Sequence, residues 1–246
     1  MKVINVFMCL RNNANSIEDA FERLNSLEKS LKSVAFRYYI YENDSSDTTP
    51  EAIETFMKTR KGHCSLRNSL GKSQWESIRD KSRIADMAMY RNSMRALCTD
   101  YSDSDYSVVL DSEIEFTCCN VLQLLSSLDE NKDIAMATPF VQINVAEGVK
   151  FKGLKRAYCD TYALQTFDGK RTFLRFAIKP LHNVKSAFGG LCVIRSSVLA
   201  KCSWDVPQDQ DGKLSEHVYF CEKVRQHGRV VIVRDVCVKW GLKITA

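Results

Sequence analysis

Proline and glycine are scarce: four and 10 in 246 residues, too few for a linker-rich or disordered chain. Long hydrophobic runs are missing as well, since no apolar stretch approaches the roughly 20 residues a membrane helix needs. A secretory leader is not expected, since neither a convincing basic start nor a small-residue cleavage site is read at the amino end, where Met1-Lys2 leads into the strand-like VINVFMCL. Ten cysteines are present, but none forms a CxxC pair and no histidine stands at zinc-ligand spacing, which argues against a zinc site. Several, such as Cys9, Cys192 and Cys237, sit inside apolar runs. They read as small hydrophobes in a reducing compartment rather than as a disulfide framework, so a cytoplasmic, soluble protein is expected, with a trimmed luminal domain as the alternative. One-sided charge is weak too: 35 Lys and Arg against 30 Asp and Glu give +5, with no basic stripe interleaved with aromatics. That excludes nucleic acid as the expected partner and leaves room for a phosphate-bearing ligand.

What is present is an apolar fraction of 45% with no linker or repeat, the composition of one large domain. A chain of this length buries roughly 70–75% of its unfolded surface. Val3–Leu10 is a near-continuous apolar run of strand length. Ile17, Phe21, Leu24, Leu27 and Leu31 then follow a helical period behind a Ser16/Asp19 capping box. Phe36–Tyr41 is β-rich and ends in the polar turn Glu42–Asp47, after which Thr49-Pro50-Glu51 opens a helix. A short strand near His63–Arg67, a helix over Lys81–Cys98 and a strand over Tyr106–Leu110 follow. This alternation predicts an α/β fold, a mostly parallel central sheet flanked by helices. Ligands of such sheets bind beyond the carboxyl ends of the strands, where Arg11–Asn13, Glu42–Asp47 and Asp111–Glu115 fall. In the second half, Thr138–Thr172 is β-rich, Phe173–Asn183 has little periodicity and Ser186–Val198 reads as a buried strand entered through two glycines. Leu214–Gln226 has helical spacing and Arg229–Trp240 is a last β-rich run. Phe36, Tyr38, Tyr39 and Tyr41 read as sheet packing, His182 and His227 as isolated, and KGLKR (152–156) as an exposed loop. Trp204 reads equally as core or as a platform for an acceptor.

Asp111, Glu113 and Glu115 are alternate residues, so an extended chain would place all three carboxylates on one face. Their mutual repulsion is relieved by a divalent cation, and oxygen-only ligands suit Mg²⁺ or Mn²⁺. The complementary charge is basic: Lys81, Arg83 and Arg91 lie before or on the helix leading into this strand. Arg83 and Arg91 are eight residues apart, near two helical turns, so one face can present both guanidinium groups to phosphate oxygens.

The stretches IYENDSSDTT (40–49), RIADMAMYRNSMRAL (83–97), VVLDSEIEF (108–116), YCDTYALQT (158–166), SAFGGLCVI (186–194) and LSEHVYFC (214–221) together resemble a GT-A glycosyltransferase. More narrowly, they resemble the fungal capsule-associated α-1,3-mannosyltransferase-like group. The resemblance implies a single GT-A (Rossmann-like) domain, with residues 1–117 binding the nucleotide sugar and 118–246 the acceptor. It implies that Glu42, Asn43 and Asp44 border the nucleoside with Arg11 beside them. Arg83, Arg91 and Asn92 would approach the donor diphosphate, and Asp111 and Glu113 would form the metal-binding DxD motif, here DxE. Gly189 and Gly190 would let backbone approach the sugar or acceptor. Glu216 and His217, in Ser215-Glu216-His217, and Asp160 would stand among the reacting groups. Two positions depart from the pattern. Trp240 stands where many GT-A enzymes place a metal-ligating histidine, and Phe188-Gly189 replaces a Trp-Asn before the glycine.

The implied function is metal-dependent transfer of a hexose from a GDP- or UDP-sugar to a glycan or other hydroxyl acceptor. Two other readings compete: a catalytically weak nucleotide- or glycan-binding module, and a sugar nucleotidyltransferase. The latter class opens with a glycine-rich basic loop after its first strand, and Cys9–Asn15 has no glycine.

Overall fold

In the computed structural model the described residues are 1–67, 70–71, 80–143, 157–160, 162–170, 172–209 and 214–240. The expected KGLKR loop lies outside them. The chain alternates β1 (Lys2–Leu10), α1 (Ile17–Ser30), β2 (Val34–Asn43), α2 (Thr49–Met57), β3 (Gly62–Arg67), α3 (Lys81–Ala96) and β4 (Tyr106–Leu110). The second half adds β5 (Ile114–Glu115), α4 (Cys118–Glu130), β6 (Ile134–Ile143), β7 (Leu181–Val184), β8 (Leu191–Arg195), α5 (Ser196–Leu199), α6 (Glu216–Val224) and β9 (Arg229–Trp240).

One sheet holds these strands in the order β3-β2-β1-β4-β8-β6-β9-β5, with β7 paired to β9. β3, β2, β1 and β4 are all parallel, from Lys2 opposite Val34 to Leu10 opposite Glu42, and Ile4 to Phe7 opposite Tyr106 to Val109. β8 joins antiparallel between β4 and β6, and β6 and β9 are again parallel, so the sheet is mostly parallel by paired length. The order reverses between β1 and β4. Right-handed crossovers therefore put α1 and α2 on one face and α3 on the other, where it packs against α6. A crevice opens at the carboxyl ends of the strands at this switch point.

Ile17, Ala20, Phe21, Leu24 and Leu27 form the buried stripe of α1, and Phe21 stacks on Phe56 of α2 at 3.9 Å. Ser16 is the N-cap, but its hydroxyl makes no capping bond. It turns instead to the Asn13 carbonyl and Ser112 Oγ, so the capping box fails. The second helix is capped by Thr48 rather than Thr49, whose hydroxyl accepts from Asn13 N. Helix α4 was not among the expected elements. Its signal is legible afterwards in the buried Val121, Leu124, Leu125 and Leu128 and in the Thr117/Asn120 capping box. Ser186–Val198 is not one strand: β8 ends at Arg195, and Ser196 opens α5 with its buried hydroxyl on Ser107 Oγ at 2.9 Å. The unpatterned Phe173–Asn183 holds a 3-10 turn, Arg175–Ala177, and the start of β7. Tyr38, Tyr39 and Tyr41 pack in the sheet as expected, and Trp204 is core, 2% exposed and stacked on Phe220. Cys98, Cys192, Cys202 and Cys221 are buried apolar filler; Cys64 and Cys119 are exposed and do not fit that reading. No helix among the described residues is long and apolar enough to cross a membrane.

Candidate active site

The crevice is a cavity of about 510 Å³. Its walls are Cys9–Asn13 from the end of β1, Asn43 from β2, Asp111 and Glu113 beyond β4, and Arg83 and Arg91 on one face of α3. Asp160, Phe188, Glu216 and His217 close it from the second half, with Trp240 at the end of β9.

The loops after β1 and β2 are laced together. Asn12 N donates to Ser45 Oγ at 3.0 Å, Asn13 N to Thr49 Oγ1 at 2.8 Å and Ala14 N to Asp47 Oδ2 at 2.9 Å. Asn13 Nδ2 then reaches across to Glu113 Oε1 at 3.0 Å and orients that carboxylate. Asn13 lies in the Arg11–Asn13 segment expected at the ligand end of β1, but its contact with Glu113 is not indicated by any local pattern.

The expected three-carboxylate face does not form. β4 ends at Leu110, and the turn that follows breaks the alternation. Asp111 and Glu113 reach the cavity, while Glu115 pairs in β5 opposite Lys239. The floor is a buried charge cluster. Arg91, 3% exposed, donates from Nε to Glu216 Oε1 at 3.0 Å, places Nη2 3.5 Å from Asp111 Oδ1 and lies over the Phe188 ring. Its Nη1 is buried without a partner among the described residues. Burial disfavours the guanidinium charge, but Asp111 and Glu216 outweigh it and raise the pKa further. Burial pushes Asp111 up to about 7; Arg91 restrains the rise, and Glu113, Glu216 and Asp160 add to it. Burial likewise raises Asp160, although its oxygens accept from Gly189 N at 2.8 Å and Ala163 N at 3.3 Å.

His217 is 4% exposed and stacks on Phe188 at 3.8 Å. Trp204 Nε1 donates to its Nδ1 at 3.5 Å, and its Nε2 lies 3.4 Å from Glu216 Oε1 with no hydrogen bond made. Burial, then Arg91 and Arg83, hold its pKa well below the ordinary imidazole value, so the ring is neutral.

The chain belongs to a recognisable family. Residues 4–222 match the family described as Cryptococcal mannosyltransferase 1. This protein is a member of that glycosyltransferase family. Among solved structures it is similar to the mannosyltransferase PcManGT from Pyrobaculum calidifontis, in complex with GDP-Man and Mn²⁺: 13% identity, TM-score 0.57, 100% of this chain and 58% of that one. It is also similar to S. aureus TarS 1-349 in complex with UDP-GlcNAc: 14% identity, TM-score 0.54, 97% and 58%. A third is GalNAc-T7 with UDP, GalNAc and Mn²⁺: 12% identity, TM-score 0.58, 98% and 44%. The shared feature at these identities is the GT-A fold, and the chain spans less than two thirds of each of these structures. No curated protein matches the sequence.

The other residues expected from the family pattern divide between cavity and scaffold. Arg11, Asn43, Arg83, Arg91, Asp111, Glu113, Asp160, Glu216 and His217 converge on the cavity. Glu42 does not line it: it is fully buried, and its Oε1 accepts from Ser45 N at 2.8 Å. Asp44, at φ +51°, accepts from Leu70 N and Gly71 N. Asn92 holds the Trp204 backbone through both ends of its amide, at 3.0 and 2.9 Å. Gly189 and Gly190 adopt φ of +68° and +72°, and a Cβ there would meet Val141 and Ile114 at 2.2 and 2.4 Å. The space they leave is filled by those two side chains.

Among the described residues no group of three or more His, Cys, Asp or Glu side chains is placed to hold a metal ion. Of the four carboxylates lining the cavity, Asp160 accepts from backbone N–H groups and Glu216 from Arg91, which leaves Asp111 and Glu113 beyond β4. They fit a hard cation that takes its other ligands from phosphate and water, as Mg²⁺ commonly does. The upward push on Asp111 is relieved by a cation at that place.

Proposed function

We propose that this protein is a metal-dependent glycosyltransferase that moves a hexose from a GDP- or UDP-sugar to a hydroxyl of a glycan or other acceptor. The observation that carries this reading is Arg91 in the cavity, with a buried Nη1 that has no partner among the described residues, beside Asp111 and in the same cavity as Glu113. A buried cationic N–H without an acceptor is costly to leave unmade. A diphosphate supplies the missing acceptor.

Breaking a sugar–phosphate bond places negative charge on the departing nucleoside diphosphate. Arg91 and Arg83 bind that charge, and Phe188 and Glu216 hold the Arg91 guanidinium in place. Asp111 and Glu113 would hold Mn²⁺ or Mg²⁺, which would supply Lewis-acid neutralisation of the diphosphate charge. Asn43 and Arg11 border the nucleoside, with Glu42 and Asp44 shaping the turn from behind. In an inverting transfer Glu216 takes the acceptor proton; in a retaining one the departing phosphate takes it and Glu216 serves to position Arg91. The halves 1–117 and 118–246 serve donor and acceptor respectively.

The test is thermal-shift screening against a panel of nucleotide sugars with Mn²⁺ or EDTA, followed by assay of sugar release and transfer. Stabilisation by nucleotide sugar and Mn²⁺ together, lost in Asp111→Ala and Glu113→Ala, is expected. Metal-independent binding without release or transfer assigns a binding module instead. No shift with any nucleoside diphosphate overturns both.

A further inference from the structure

We propose that His217 and Glu216 together read one hydroxyl of the sugar in the cavity, and that Trp204 sets the tautomer of His217 that makes this reading work. The inference rests on the glycosyltransferase reading and deepens it.

An indole N–H can only donate. Because Trp204 Nε1 points its hydrogen at His217 Nδ1, that nitrogen must carry the lone pair, and in a neutral imidazole the proton sits on Nε2. The same contact bars His217 from ligating a cation through Nε2, since that would need the proton on Nδ1, facing the indole N–H. Nε2–H is therefore a donor on a side chain that lines the cavity and is 4% exposed, and it has no hydrogen-bond partner among the described residues. Phe188 stacked on one face of the ring and the indole on its edge leave it little freedom.

The neighbouring group decides the ligand. Glu216 Oε1 lies 3.4 Å from Nε2 and accepts from Arg91 Nε; a carboxylate has lone pairs for further donors. A group beside both must accept from His217 and donate to Glu216 at once. A hydroxyl does this. A phosphate oxygen only accepts and would meet the Glu216 carboxylate.

Trp204 is held for this task by Asn92 on its backbone and Phe220 against its ring at 3.9 Å. Asn92 and Trp204 are thus positioning residues, acting through His217.

The test uses the full chain with Mn²⁺. GDP-mannose, UDP-glucose and UDP-N-acetylglucosamine are titrated first, and the tightest binder is compared with its monodeoxy analogues. A second arm titrates methyl mannosides and glucosides, with their monodeoxy analogues, in the presence of the matching nucleoside diphosphate. Removing one hydroxyl is expected to weaken binding about 10- to 100-fold. That ratio should fall toward one in His217→Phe, which keeps the ring stack and loses both nitrogens, and return in part in His217→Gln. The arm that shows the effect tells whether the hydroxyl belongs to the donor sugar or the acceptor. Independently, ¹⁵N spectra of the labelled histidines, four in all, should show His217 as the neutral Nε2–H tautomer from pH 5.5 to 8. In Trp204→Phe it should become a mixture. A deoxy ratio unchanged in His217→Phe, or an Nδ1–H tautomer in the native protein, overturns the inference and leaves the glycosyltransferase reading standing. If no nucleotide sugar and no glycoside binds the native protein, both fall.

Discussion

The two ends of the sheet carry ion pairs of opposite character. Near the amino ends of the strands, Lys2 meets Asp129, Arg37 meets Asp103 at 2.6 and 2.7 Å, and Arg229 meets Asp133 at 2.6 Å, all in contact with solvent. At the carboxyl ends, Arg91 and Glu216 are each 4% exposed by side chain, with Asp111 and Asp160 close by. Exposed pairs contribute about 0–1 kcal/mol each. Buried ones carry a desolvation penalty that excellent geometry is needed to offset, and here one arginine faces several carboxylates while one of its own nitrogens lacks a partner among the described residues. The amino edge is balanced on its own. In the proposed reading the carboxyl edge is completed by the nucleotide sugar and its metal.

The sharpest way to break this contrast is Arg91→Met, which leaves Glu216 and Asp111 without their cation. Urea denaturation should show a loss of about 3–5 kcal/mol, with much of it recovered in Arg91→Met/Glu216→Leu. A loss below about 1 kcal/mol would put Arg91 in the same class as a surface pair. Nucleotide-sugar binding should be absent in both variants.

Next comes pH. The folded protein keeps the Asp111 proton up to about 7, whereas the unfolded chain releases it near the ordinary value of 3.8. Between those values the folded state binds more protons, so stability falls as pH rises. In EDTA the urea midpoint should drop across that window by the equivalent of about 3–4 kcal/mol from this group, and Asp111→Asn should flatten the slope. Mn²⁺ should flatten it in the native protein. A midpoint that rises over the same window would contradict the assignment.

A smaller effect is expected at the cavity's backing. Gly190→Ala places a Cβ at φ +72° against Ile114 and should cost about 1–3 kcal/mol by the same measurement. Smallest is the control at the other edge: Arg37→Ala should cost at most about 1 kcal/mol, less in high salt. Its nucleotide-sugar affinity should match that of the native protein.

How much of this was legible in the sequence depends on whether local pattern or distant partners decide a residue's place. The first four strands and the helices between them follow from apolar periodicity, and the positions beyond β1 and β4 follow from the parallel arrangement. Glu42 looked like part of an exposed acidic turn, but β2 extends through Asn43 because β1 and β3 both pair with it, and that buries Glu42 completely. Glu115 looked like a third ligand because alternation was assumed to continue past Leu110. Arg91 and Glu216 were each read as site residues, but nothing local indicates that they meet across 125 positions. Nor does spacing show that Trp204 faces His217, since the approach of α6 to its surroundings decides that. Pattern identified which residue types reach the carboxyl edge; packing decided which of them face one another.

The antiparallel strand β8 has a consequence for how the chain is made. It fills the place between β4 and β6, pairing Tyr106 with Arg195 and Leu110 with Leu191. During synthesis, the parallel unit β3-β2-β1-β4 is complete long before residue 195 emerges, and β4 meanwhile presents a bare, wholly buried-type edge to any other strand. Such an edge is a template for misassembly, and closing it needs a contact of high sequence separation, which folds slowly. Shortened versions that stop before β8 should therefore aggregate rather than yield an isolated nucleotide-binding half.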